Sequence, residues 1–212
     1  MKTWNAEAIQ AMAQRLRAGF INALSGIQPA NVIGTQSESG KTNLAIFNSV
    51  MHLGANPALM GLLLRPATVE RHTYENLKET GWFTINHVKT SWIAQAHQTS
   101  ARYSDSEFDA CGLHAEYSEQ CKAPYVEESD LQIGLKFEQE IVLEINQTIL
   151  LIGSIQEVRI KNEMAFNSAL LPDLSKLNSA GVCGLETYYS LQKLDSFAYA
   201  KPEQAPRSLP WE

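Results

Sequence analysis

Cysteine, clustered basic residues and long apolar runs are all scarce in this chain. Its three cysteines, Cys111, Cys121 and Cys183, are odd in number and widely spaced. That argues against a disulfide scaffold and for a reducing compartment, the cytoplasm. Neither Cys-x-x-Cys nor His-x-x-x-His spacing occurs, so a zinc centre has almost no support. The longest apolar runs, Ala58 to Leu64 and Ile149 to Gly153, fall far short of the roughly 20 residues of a membrane-spanning helix. The N-terminal stretch carries Glu7 and lacks a continuous apolar core, which makes it a poor signal peptide. Net charge is −6 and no Lys/Arg cluster appears, so the basic face of a nucleic-acid binder is missing. No internal repeat or low-complexity tract stands out.

What the chain does have is alternation. From Leu131 to Ile145 the odd positions are almost all apolar (Leu131, Ile133, Leu135, Phe137, Ile141, Leu143, Ile145) and the even ones mostly polar. Period two means a strand with one buried and one wet face. Asn146-Gln147 reads as a turn, and Thr148 to Ile160 returns as a second strand. A long one-sided strand suits an antiparallel sheet or barrel, and barrel closure removes exposed edges. Further strands are expected over Ala30–Thr35, Thr42–Val50, Ala58–Leu64 and Trp82–Val88. Helices are expected over about 5–17, 72–80, 91–101 and 173–178. The tail beyond Ala200, with Pro202, Pro206 and Pro210, reads as extended.

Gly34 to Thr42 resembles a phosphate-binding P-loop but fails on spacing. The motif needs four residues between its first Gly and Gly-Lys-Thr, and this chain has five. Its context fails too, because a strand rather than a helix follows. The segment reads as a hairpin turn around Gly40.

A better anion site lies further on. Arg65, Thr68, Arg71, His72 and Thr73 crowd the point where a strand gives way to a helix. A helix start offers unpaired N–H groups and partial positive charge. Thr73 would also serve as an N-cap, and Arg71 could instead pair with Glu75 one turn on. The preceding polar strand contains Asn43, Phe47, Asn48 and Ser49. It could give hydrogen bonds to the edge of a planar ligand and an apolar wall against its face. Asn48 and Ser49 could equally satisfy barrel backbone groups. Together the two features suggest a flat cofactor ending in phosphate, such as flavin mononucleotide (FMN). His97, on an expected helix with Thr99, could border it.

The ordered series Thr42–Val50, Asn56-Pro57-Ala58-Leu59, Arg65-Pro66-Ala67-Thr68, Arg71-His72-Thr73-Tyr74-Glu75-Asn76 and Gly81–Asn86 resembles the flavin reductase-like FMN-binding split-barrel proteins. The likeness continues through Ser106-Glu107-Phe108 and the strand pair 131–160. It implies a mainly β fold, a six-stranded antiparallel split β-barrel of Greek-key type with a few peripheral helices. The barrel domain would span residues 20–195, after a helical extension at 1–19 and before a tail at 196–212. It also implies a homodimer with FMN near the subunit interface. Asn43, Phe47, Asn48 and Ser49 would lie at the ring, and Arg65, Thr68, Arg71, His72 and Thr73 at the phosphate. The implied activity is an oxidoreductase taking hydride from NADH or NADPH at flavin N5, with a small-molecule substrate or electron acceptor. No protein acid or base is required for that step, so no catalytic residue is named. A non-catalytic flavin carrier, a flavin-dependent oxygenase and a haem- or pyridoxal-binding relative are the alternatives.

Overall fold

A computed structural model of the chain describes residues 1–66 and 71–210. Two short helices, α1 (Ala6–Gln10) and α2 (Gln14–Ala23), precede β1 (Ile27–Pro29), β2 (Asn31–Gln36), β3 (Thr42–Phe47), β4 (Val50–Ala55) and β5 (Ala58–Leu64). Then come α3 (His72–Thr80), β6 (Trp82–His87), α4 (Ile93–Gln98) and α5 (Glu107–Cys111). The small strands β7 (Ala115–Glu116) and β8 (Tyr125–Val126) lead into the long pair β9 (Leu131–Val142) and β10 (Ile149–Ile160). A last hairpin joins β11 (Ala180–Cys183) and β12 (Thr187–Ser190). Among the described residues no helix is long and apolar enough to cross a membrane.

The main sheet runs β3-β2-β6-β9-β10-β5-β4, antiparallel at every join. It has seven strands where six were expected, because Thr42–Val50 is not one strand. The ladder breaks at Asn48 and Ser49. Ser49 Oγ donates to the Leu63 carbonyl (2.7 Å), and Leu63 N–H returns a bond to the Ser49 carbonyl (3.1 Å). Those bonds carry the chain from β2's side of the sheet to β5, so β3 and β4 are consecutive in sequence yet form opposite edges. That junction is where the barrel splits.

The middle of the sheet carries a buried core on each face. Ile33, Leu62, Phe83, Leu135 and Leu151 pack on one face with Leu77 of α3. On the other, Val32 and Leu44 meet Trp92, Ala96 and Phe108, brought by α4 and α5, and Val182 of β11. The expected wet face of β9 holds only beyond Gly134. Gln132 is fully buried, and its amide donates to Glu116 Oε1 and to the Val126 carbonyl, each at 2.6 Å. The cause is the segment Cys121–Val126, which lies across β2, β6 and β9. It comes so close that a Cβ at Gly34 would stand 2.1 Å from the Pro124 carbonyl oxygen.

The helices differ from expectation at their ends. The helix expected over 5–17 is broken at Ala13, where the backbone is extended (ψ 139°). Arg17 there bonds the freed carbonyls of Gln10 and Met12 at 2.7 and 3.3 Å. Residues 173–178 are successive turns, not a helix. The Asp173 carboxylate draws in Ser175 and Lys176 N–H, and Asn178 takes a positive φ of 51°. All three cysteines are free thiols.

Replacing Gly34 with Ala forces backbone to move, not a flexible side chain. Urea unfolding should show a loss of at least about 2 kcal/mol. A second test concerns His87, at the end of β6. Burial pushes its imidazole down to about 4, although the residue keeps some exposed surface. As pH falls below the ordinary value of 6.5, the unfolded chain takes up a proton that the folded imidazole refuses. Stability should therefore fall between about pH 6.5 and 4, by at most about 3 kcal/mol from this group. His87→Gln should remove that part of the acid sensitivity in melts run across the same range.

Candidate functional site

β3 is an edge strand, and its outer side opens onto a cleft of about 690 Å³. Small-molecule sites commonly fall at about 300–1,000 Å³. Among the described residues the walls come from β3 with the Asn48–Ser49 break, from Leu63, Leu64 and Arg65 together with Arg71, His72 and Thr73, from residues between 97 and 107, and from the β11–β12 hairpin.

The helix start is fixed to the sheet by a buried polar network. Asn43 Nδ2 donates to Thr35 Oγ1 at 3.2 Å and to Thr73 Oγ1 at 3.0 Å, and Asn76 Nδ2 reaches Thr35 Oγ1 at 3.3 Å. Asn43 and Thr73 are both buried. Thr73 is thus a docking residue in the first turn rather than the N-cap, a position Arg71 occupies with extended backbone. The Arg71 carbonyl accepts from Tyr74 and Glu75 N–H at 2.8 and 3.0 Å. Glu75 takes the Arg71 backbone N–H at 3.2 Å, not the guanidinium. The guanidinium donates instead to the Pro66 carbonyl through Nε and Nη2 at 3.4 and 3.3 Å. That leaves it half-buried at the cleft without a paired carboxylate among the described residues. Arg65 and Arg102 also line the cleft. Three of seven arginines therefore meet in one hollow of a chain whose net charge is −6.

The hairpin roof is clipped on at two points. Asn48 Nδ2 donates to the Gly184 carbonyl at 2.7 Å. At the other end His97 Nδ1 and the Tyr188 hydroxyl are 3.0 Å apart, with their rings edge to face. Burial raises the Tyr188 phenol above its ordinary pKa, so it stays protonated at neutral pH. Glu107, at the start of α5, accepts the Leu44 N–H of the open β3 edge at 3.2 Å. Antiparallel pairing alternates, so Ile46, two residues on, turns its N–H and C=O toward the same edge.

Eight sequence-derived candidates therefore share this cleft: Asn43, Phe47, Asn48, Ser49, Arg65, Arg71, His72 and Thr73. Thr68 lies outside the described residues. The amide N–H groups of Asn43 and Asn48 and the Ser49 hydroxyl donate to protein partners, and Thr73 Oγ1 accepts from Asn43, so these side chains shape the hollow. The sequence reading placed His97 and Thr99 beside the ligand but missed the loop Ser100–Tyr103 and the roof Gly184–Tyr188. Neither carries a local motif, and both reach the cleft only through long-range pairing.

The flavin reductase like domain matches residues 26–177. This chain belongs to that family. Within the family, it shares 46% identity with a provisionally assigned flavin reductase with a split barrel domain from Shewanella frigidimarina. The match covers 94% of this chain and 100% of that one, with a TM-score of 0.90. Nitrilotriacetate monooxygenase component B of Bacillus cereus shares the fold at 20% identity (92% and 98% covered, TM-score 0.80). So does the flavoredoxin of Desulfovibrio vulgaris at 24% identity (85% and 93% covered, TM-score 0.70). No curated protein matches the chain. The family membership supports a flavin-related oxidoreductase on a split-barrel fold.

Cutting the roof clip should loosen the hairpin without unfolding the barrel. In Asn48→Ala, hydrogen exchange across Ala180–Ser190 should quicken about tenfold, while β9 and β10 keep their protection.

Proposed function

We propose that the chain binds FMN in this cleft and works as an NAD(P)H-dependent flavin oxidoreductase. One observation carries the reading. An unpaired strand edge and a cationic helix start, pinned together through Asn43 and Thr73, open onto the same cleft. Those are the separate needs of a ring edge and a phosphate. The donor set fits the group. The bonds to Pro66 hold the Arg71 guanidinium in place, so little side-chain freedom remains to be lost when an anion binds. Arg65 adds positive charge beside it, and the first turn of α3 contributes its dipole. Ile46 offers a backbone donor and acceptor at the edge, while Phe47 and Ala45 give apolar cover.

When bound, the flavin supplies a hydride acceptor at N5, reached by NADH or NADPH. The protein's part is to bind, orient and exclude water, and the reading names no side chain as acid or base. The roof clipped by His97 and Tyr188 sets how far a second substrate can enter. A homodimer is part of the same proposal. Met51 and Leu53 on the edge strand β4, and Ile141, Val142 and Ile145 at the β9–β10 tip, are all exposed. A second copy would cover such patches. Three thiols with no disulfide fit a cytoplasmic setting.

A visible spectrum of the protein mixed with FMN, before and after anaerobic NADH or NADPH, tests the reading. Yellow protein bleached by one nicotinamide supports it. A bound flavin that neither nicotinamide bleaches would make the chain a carrier, and protein that stays colourless in excess FMN would end the proposal. Arg71→Ala should weaken FMN by about 1.5–3 kcal/mol, roughly ten- to 150-fold in Kd, by fluorescence titration.

A further inference from the structure

Glu107 is the group at the cleft for which the reading above has no use. It lines the hollow yet is only 6% exposed. Oε2 is occupied by Leu44 N–H. Oε1 meets no hydrogen-bond donor among the described residues. Oε1 is not among the fully enclosed atoms that lack a partner, so the carboxylate keeps one acceptor open toward the hollow it lines.

The register along β3 says what could meet that acceptor. Asn43, one residue before Leu44, is bonded to Thr73 at the cationic helix start. Ile46 and the Asn48–Ser49 break lie on the other side, at the end offered to a ring. Glu107 therefore stands level with the middle of the strand, between the two ends. A carboxylate only accepts hydrogen bonds, and it repels phosphate. The part of FMN between phosphate and ring is the ribityl chain, which carries hydroxyl donors.

Resting on the flavin reading, we infer that Glu107 binds the ribityl chain by accepting a hydroxyl hydrogen bond at Oε1. The charges then sort the ligand along the strand. Arginines hold the anionic end, the carboxylate holds the polyol, and the neutral backbone edge reads the ring. The cleft discriminates in favour of flavins that carry a polyol, independently of their phosphate.

The test compares riboflavin with lumiflavin, which has the ring and a methyl group in place of the ribityl chain. Both are titrated by fluorescence into the wild type, Glu107→Gln and Glu107→Ala. Gln keeps an acceptor for Leu44 N–H, so melting curves for that variant should match the wild type. The wild type should bind riboflavin more tightly than lumiflavin. Glu107→Gln should weaken riboflavin about three- to tenfold and Glu107→Ala at least as much, with lumiflavin changed less than about twofold. Equal weakening of both ligands, as a purely structural role requires, would overturn the inference, as would unchanged riboflavin binding. A wild type that binds neither FMN nor riboflavin has a different signature: it removes the flavin reading itself, and this inference with it.

Discussion

β3 is paired with β2 along one side only, and the backbone groups on its other side must find partners outside the sheet. Most proteins blunt such an edge with charge, a bulge or a covering element. Here the covering is partial. The Glu107 carboxylate takes the Leu44 N–H, and α5 packs against the strand. Beyond Leu44 the edge faces the cleft. The ladder cannot continue because Ser49 is bonded across to Leu63, which sends the chain to the far edge of the sheet. The same bonds that carry the chain across to β5 leave the β3 edge open to the cleft.

Around that edge the charges are unevenly distributed. An acidic protein gathers Arg65, Arg71 and Arg102 into one hollow. The Arg71 guanidinium is held by the Pro66 carbonyl and has no carboxylate partner among the described residues. Some cations elsewhere are paired with carboxylates, as with Lys78 and Glu140 or Lys89 and Asp130. Asn43, Thr73, Asn48 and Ser49 are turned into the protein and build the walls.

Much of this was readable in advance because it is local. The period-two pattern gave β9 and β10, the Gly40 turn gave the β2–β3 hairpin, and Arg71-His72-Thr73 marked the helix start to within a residue. The failures were also physical. Thr42–Val50 looks continuous because Asn48 and Ser49 are compatible with a strand, and only the partner at Leu63 breaks it. Gln132 falls at a position the alternation assigns to solvent, but the Cys121–Val126 segment covers it. The helix expected at 173–178 loses to an Asp173 side chain that bonds its own backbone. The loop 100–103 and the roof 184–188 joined the cleft without any local signature.

The sequence alone determined the chemistry available: which segments alternate, where anions are welcome, and that no metal or disulfide pattern recurs. Those are properties of neighbouring residues, and short-range sterics and charge decide them. Tertiary structure alone decided which of those segments meet. It brought Asn43 to Thr73 across 30 residues, Leu44 to Glu107 across 63 and Asn48 to Gly184 across 136. Contacts at such separations follow from closure of the sheet, which no local pattern encodes.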